Sequence, residues 1–82
     1  MAVTQDITKL TPTQTEVINL LAAGLDAPEI AHYLSIDKNT VKNHVYDAKQ
    51  RLDPDHWVSR GRLVALYVAH YGLPNYHPIF KD

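Results

Sequence analysis

The chain contains no cysteine, which excludes a disulfide framework and any zinc site built on thiolates. Its histidines, at positions 32, 44, 56, 70 and 77, show no His-x-x-x-His spacing, so no metal site is expected from imidazoles. There is no Gly-rich phosphate loop and no nucleophile motif. Neither an enzyme nor a cofactor is therefore expected. No apolar run approaches the roughly 18 residues a bilayer span requires, and MAVTQDITKL lacks the basic-then-apolar pattern of a secretory signal. A cytoplasmic protein without membrane contact is the expectation. At 82 residues the chain is one small domain in which almost every core position must contribute.

An excess of positive charge is also missing, since the formal net charge is -1. That value hides an asymmetry. Lys38, Lys42, Lys49, Arg51, Arg60 and Arg62 are six of the 8 basic residues and fall within positions 38–62. Residues 1–34 hold Asp6, Glu16, Asp26 and Glu29 against Lys9 alone. Partners respond to local potential more than to net charge. The middle of the chain is thus the candidate for meeting a polyanion, diluted by Asp37, Asp47, Asp53 and Asp55.

Residues 1–9 have no clear period and read as an N-terminal arm. In LTPTQTEVINLLAAG, Thr11 can cap a helix, Pro12 suits its first position, Gln14 completes a capping box and Gly24 is a left-handed stop. Val17, Leu20, Leu21 and Leu10 form the inward stripe. A short second helix starts in LDAPEIAHYL, capped by Asp26 with Glu29 three residues on, and turns Ile30, Ala31 and Leu34 inward. SID is a three-residue break, with Ile36 as its buried plug and Asp37 capping the next helix. In that third helix Val41, Val45, Ala48 and Leu52 share one narrow stripe. Asn39, Asn43, Tyr46 and Gln50 lie opposite, with Lys42 and Lys49 on one flank and Thr40 and Asp47 on the other. Asp53-Pro54 ends the helix. A fourth helix spans 59–71 and stops at Gly72. Its VALYVAHY part is apolar nearly all round and needs a second burial partner. That partner is another copy, through Val64, Tyr67, Val68 and Tyr71, or the C-terminal tail 73–82, with Ile79 and Phe80 as the cover. In the connection before this helix, Trp57 reads as a lid over the end of the core.

Two short helices, a three-residue turn and a longer helix with a polar outer face describe an all-α, four-helix helix-turn-helix domain over residues 10–72. LTPTQTEVINLLAAGL followed by PEIAHYLSIDKNTVKNHV resembles the DNA-binding domain of the LuxR/GerE family of bacterial transcription regulators. The resemblance rests on Leu10-Thr11-Pro12, Glu16-Val17, Leu20-Leu21, Gly24-Leu25, Glu29-Ile30-Ala31, Leu34, Ile36, Thr40-Val41-Lys42 and His44. It implies that the third helix (about 38–52) enters the major groove of double-stranded DNA and that the fourth supports a homodimer. Base contacts are then expected from Lys42, Asn43 and Tyr46, joined by Asn39 on the same face. Phosphate contacts are expected from Lys38, Thr40, His44, Lys49 and Gln50. A bacterial origin, or a bacteriophage one acting in host cytoplasm, is implied in the same way. The chain departs from the family pattern at Tyr46, at Ala27-Pro28, at Asp53 in place of the usual Gly, and in a PDHWVS connection longer than typical.

Asn pairs with adenine through two hydrogen bonds, Lys with guanine, and Tyr can reach a thymine methyl or a phosphate. Few cations on this face implies a shallow dependence on salt. The alternative is a helix-turn-helix that binds mainly protein. Region four of sigma factors shares much of the pattern, and AKQRL resembles the end of its recognition helix. RNA polymerase or another regulator would then be the partner.

Overall fold

The computed structural model describes residues 5–74. Within them lie four α-helices and no strand: α1 (Pro12–Ala22), α2 (Ala27–Leu34), α3 (Lys38–Leu52) and α4 (Arg60–Tyr71), preceded by one 3₁₀ turn at Ile7–Lys9. The all-α, four-helix helix-turn-helix expectation therefore holds, with the longer polar-faced helix third.

Local chemistry sets the helix ends. At the start of α1 the Gln14 amide N–H donates to Thr11 Oγ1 at 3.1 Å, and the Thr11 N–H donates to Gln14 Oε1 at 3.0 Å. Asp26 and Glu29 repeat this reciprocal pair at the start of α2, with both bonds 2.9 Å. Each box satisfies two backbone groups that a helix start would otherwise leave orphaned. At the end of α1 the Gly24 N–H bonds to Leu21 O and the Leu25 N–H to Leu20 O, with Gly24 at φ +101. This six-to-one and five-to-two pairing is the Schellman arrangement, sealed by the apolar side chains of Leu20 and Leu25, both buried. The end of α2 is built the same way, except that Ser35 holds the left-handed position at φ 57.

α1 is the centre of the domain, since α2, α3 and α4 all pack against it. Val17, Ile18, Leu20 and Leu21 are all buried in consequence. The expected stripe omitted Ile18, because periodicity counts one buried face and α4 supplies α1 with a second. The core is completed by Ile30 and Ala31 of α2, by Val41, Ala48 and Leu52 of α3, and by Leu63 and Tyr67 of α4. Burying each large aliphatic side chain contributes about 1.5–3 kcal/mol. Leu34, Ile36 and Val45, expected inside, are only half-buried and pack against the edge of this cluster.

Two segments differ from their sequence reading. Residues 7–9, read as part of an arm, form the 3₁₀ turn and plug Ile7 into the core against α3 and α4. Asp6 bends the chain there by accepting from the Thr8 N–H at 2.9 Å and the Thr8 hydroxyl at 2.6 Å. Those bonds hold the Asp6 carboxyl below the usual carboxylate range, the hydroxyl bond contributing most. Trp57 is not a lid; it is 78% exposed, and its neighbour Val58 fills the core instead. Val58 takes the inward position in this stretch, 1% exposed, and Trp57 the outward one. Residues 1–4, and the tail cover assigned to Ile79 and Phe80, lie outside the described residues.

Candidate nucleic-acid interface

The outer face of α3 is presented as helical geometry requires. Val41 and Ala48 anchor the helix in the core, and Asn39, Asn43, Tyr46 and Gln50 on the opposite side are all exposed. Tyr46 stands 57% exposed. Lys38 and Lys42 are exposed beside them, while Thr40, His44 and Lys49 are half-buried. Asp37 caps α3, its carboxylate accepting from the Asn39 N–H at 2.8 Å. The Asn39 side chain is left free to project. The face thus offers amides, a phenol and ammonium groups along one side of a 15-residue helix. Those groups match the donor and acceptor pattern of base edges in a major groove.

Five of the six cations of residues 38–62 divide into two sets, with Lys38 exposed at the start of α3 in neither. Arg51 Nε donates to the carbonyl of Lys9 at 2.7 Å, and Arg62 Nη1 donates to Gln5 Oε1 at 3.1 Å. Both guanidinium groups tie the N-terminal segment to the helices. Lys42, Lys49 and Arg60 instead meet around a groove of about 280 Å³ that also touches Tyr46 and Trp57. Val41 and Val45 contribute to its apolar wall. The Lys49 ammonium sits 4.6 Å from the centre of the Trp57 ring, a cation–π contact that positions both side chains. Arg60 Nη2 donates to the carbonyl of Leu25 at 3.3 Å, which fixes the guanidinium at the groove while most of its donors remain unused. No local spacing relates position 60 to positions 42 and 49, so the sequence pattern did not single out Arg60.

Asp53, which departs from the expected Gly, has an extended backbone at φ -154, so a left-handed residue is unnecessary there. Its side chain is only 4% exposed and organises the connection to α4. Gln5 Nε2 donates to one carboxylate oxygen at 3.1 Å. The other oxygen accepts from the Asp55 N–H at 3.2 Å and lies 3.1 Å from His56 Nδ1. The Gln5 bond is the main reason its carboxyl lies below the ordinary carboxylate value; burial opposes the shift, and His56 and Asp55 add to it. Gln5 therefore bridges Asp53 and Arg62, linking the start of the described chain to the ends of α3 and α4.

On α4 the four residues expected at a dimer interface differ in availability. Tyr67 is only 8% exposed and donates its hydroxyl to Asn19 Oδ1 at 2.9 Å, so it belongs to the domain's own core. Burial is the main cause that pushes its phenol pKa up, with Tyr71 adding to it. Val64 and Val68 are half-buried, and Tyr71 is exposed. Among the described residues no group of His, Asp and Glu could hold a metal ion, and no helix is long and apolar enough to cross a membrane.

Residues 8–58 match the profile of the bacterial regulatory proteins, luxR family. The nitrate/nitrite response regulator protein NarL of Escherichia coli strain K12 is 34% identical over 65 residues, covering 72% of this chain and 30% of its own length. The same protein from Escherichia coli O6:H1 strain CFT073 gives the same figures. The chain thus spans less than a third of the curated relatives it matches. No solved structure matches the chain.

Proposed function

The chain belongs to the luxR family of bacterial regulatory proteins, and from that premise we propose that α3 is a recognition helix lying in the major groove of double-stranded DNA. The family places the chain among DNA-binding transcription regulators and not among enzymes. The observation that carries the finer reading is the outer face of α3, where Asn39, Asn43, Tyr46 and Lys42 project from a helix anchored by Val41 and Ala48. Lys42 and Asn43 read base edges, and Tyr46 and Asn39 extend the same row. Lys38, Thr40, His44, Lys49 and Gln50 meet the flanking phosphates. With few cations on each domain, two copies bind together, on half-sites about one DNA turn apart. Tyr71, with Val64 and Val68 beside it, is the available part of α4 for that pairing. The site of action is the cytoplasm of a bacterium or of a phage-infected host.

Selection of bound sequences from a random DNA pool tests this reading. A recovered motif with two related half-sites is the expected result. Lys42→Ala and Asn43→Ala should weaken binding to that motif while the helical content and melting temperature stay close to those of the parent. Normal binding by both variants would place the recognition face elsewhere. A folded protein that binds no duplex at low salt, and instead engages RNA polymerase, would replace the DNA reading with protein docking.

A further inference from the structure

The groove beside α3 combines features that the recognition face alone does not require. Lys42 and Lys49 on α3 and Arg60 at the start of α4 meet at its lining, and none of its lining residues is a carboxylate. In a chain whose net charge is -1, this is a local concentration of positive potential. Beside it stands a tryptophan that is 78% exposed, with an ammonium 4.6 Å from its ring centre. An indole so far outside the core adds little to folding, and a large exposed aromatic beside cations matches a partner that is apolar in part and anionic in part. The groove is also continuous with the outer face of α3, since Lys42 and Tyr46 belong to both.

We propose that this groove seats one phosphate of the DNA backbone together with its deoxyribose, extending the footprint past the recognition helix. Arg60 and Lys49 face the phosphate oxygens. The Leu25 carbonyl fixes the guanidinium at one of its five N–H groups and leaves the others for the anion. Trp57 lies against the sugar, an apolar surface that every nucleotide presents. The contact is therefore independent of sequence: it adds affinity and sets the register in which Lys42 and Asn43 meet base edges. The connection between α3 and α4 places Trp57 outward while Val58 anchors the same stretch in the core, so the platform has a rigid footing. This inference rests on the DNA-binding reading above, and its test separates the two.

Trp57 is the sole tryptophan of the chain, so its fluorescence reports on this site alone. The full chain is titrated with an end-labelled duplex carrying the selected motif. Anisotropy of the label reads binding, and acrylamide quenching of tryptophan reads access to the groove. Protection of Trp57 with the same midpoint as the anisotropy change is expected. Trp57→Ala should weaken binding about fivefold on preferred and unrelated duplexes alike, from loss of the apolar contact with the sugar. Arg60→Gln should reduce the slope of log K against log salt by about 0.9. If anisotropy reports binding while Trp57 stays fully quenchable and both variants bind like the parent, the groove is not a backbone site. A Trp57→Ala variant that changes sequence preference instead of overall affinity also overturns the assignment. Absence of an anisotropy change at low salt overturns the DNA reading itself, and this proposal with it.

Discussion

Salt titration of DNA binding offers a quantitative test of which cations face the duplex. Six basic residues fall within positions 38–62. If all six met phosphates, the slope of log K against log salt would be about -5.4 per domain, at about -0.9 per phosphate neutralised. Arg51 and Arg62 are bonded to Lys9 O and Gln5 Oε1, which tie the N-terminal segment down. Lys42 is taken up by base edges, so Lys38, Lys49 and Arg60 remain for phosphates, and they give a slope of about -2.7 per domain, doubled for a pair of copies. Between 50 and 200 mM salt that domain would lose about 1.6 orders of magnitude in affinity, where six contacts would lose more than three. Fluorescence anisotropy at several salt concentrations measures the slope. Removing any one of the three, by Lys→Ala or Arg60→Gln, should lower it by about 0.9. Arg51→Ala and Arg62→Ala should leave it unchanged. Arg51→Ala should instead cost stability, about 0.5–1.5 kcal/mol for one lost hydrogen bond. A parent slope steeper than about -5 per domain, or a reduced slope in Arg51→Ala, would refute this division of the cations.

Ser35 occupies a left-handed conformation at φ 57, which disfavours a side chain by about 1–2 kcal/mol, while glycine adds some unfolded-state entropy. Ser35→Gly is therefore expected to stabilise the domain by about 0.5–1 kcal/mol, seen as a higher melting temperature; a lower one would mean the serine side chain contributes something the geometry does not reveal. The Gln5 bond, above all, holds the Asp53 carboxyl below the usual carboxylate range in the folded state. Its contribution to stability is present above the usual carboxylate range and is lost as pH falls through the lower folded pKa. Relative to the parent, Asp53→Asn should thus be destabilised at pH 6 and the gap should narrow on acidification; thermal melts across that range check the sign, and a constant gap would contradict it. Tyr71→Ala changes an exposed side chain of α4 and should leave the fold intact while weakening self-association on DNA. Sedimentation in the presence of duplex measures this, and unchanged stoichiometry and affinity would move the pairing surface elsewhere.

Much of the fold could be read from short spans of sequence. The capping boxes Thr11–Gln14 and Asp26–Glu29, the stop at Gly24 and the cap at Asp37 are all found where the local pattern puts them. Such signals act over three or four residues, within which backbone geometry leaves few choices. The exposed row Asn39, Asn43, Tyr46 and Gln50 was legible for the same kind of reason: once Val41 and Ala48 are buried, the helical period dictates what lies opposite. Tyr67 was less legible. VALYVAHY is apolar almost all round, and a period cannot choose among faces when all of them qualify. The packing of α4 against α1 chose the face bearing Leu63 and Tyr67 and left Tyr71 outside.

The sequence by itself determined four helices, their ends and the polar face of the third, because propensity, capping and periodicity are properties of neighbouring residues. Tertiary structure decided what neighbours in sequence cannot. It brought Gln5 to Asp53 and Arg62, Asn19 to Tyr67, and Arg51 to the carbonyl of Lys9, across separations of 48, 57, 48 and 42 residues. It turned Val58 inward and Trp57 outward, and it gathered Arg60 with Lys42 and Lys49 at one groove. Those outcomes depend on how helices stack to exclude water from Val17, Ile18, Leu20 and Leu63, a collective constraint that no single stretch of the chain encodes.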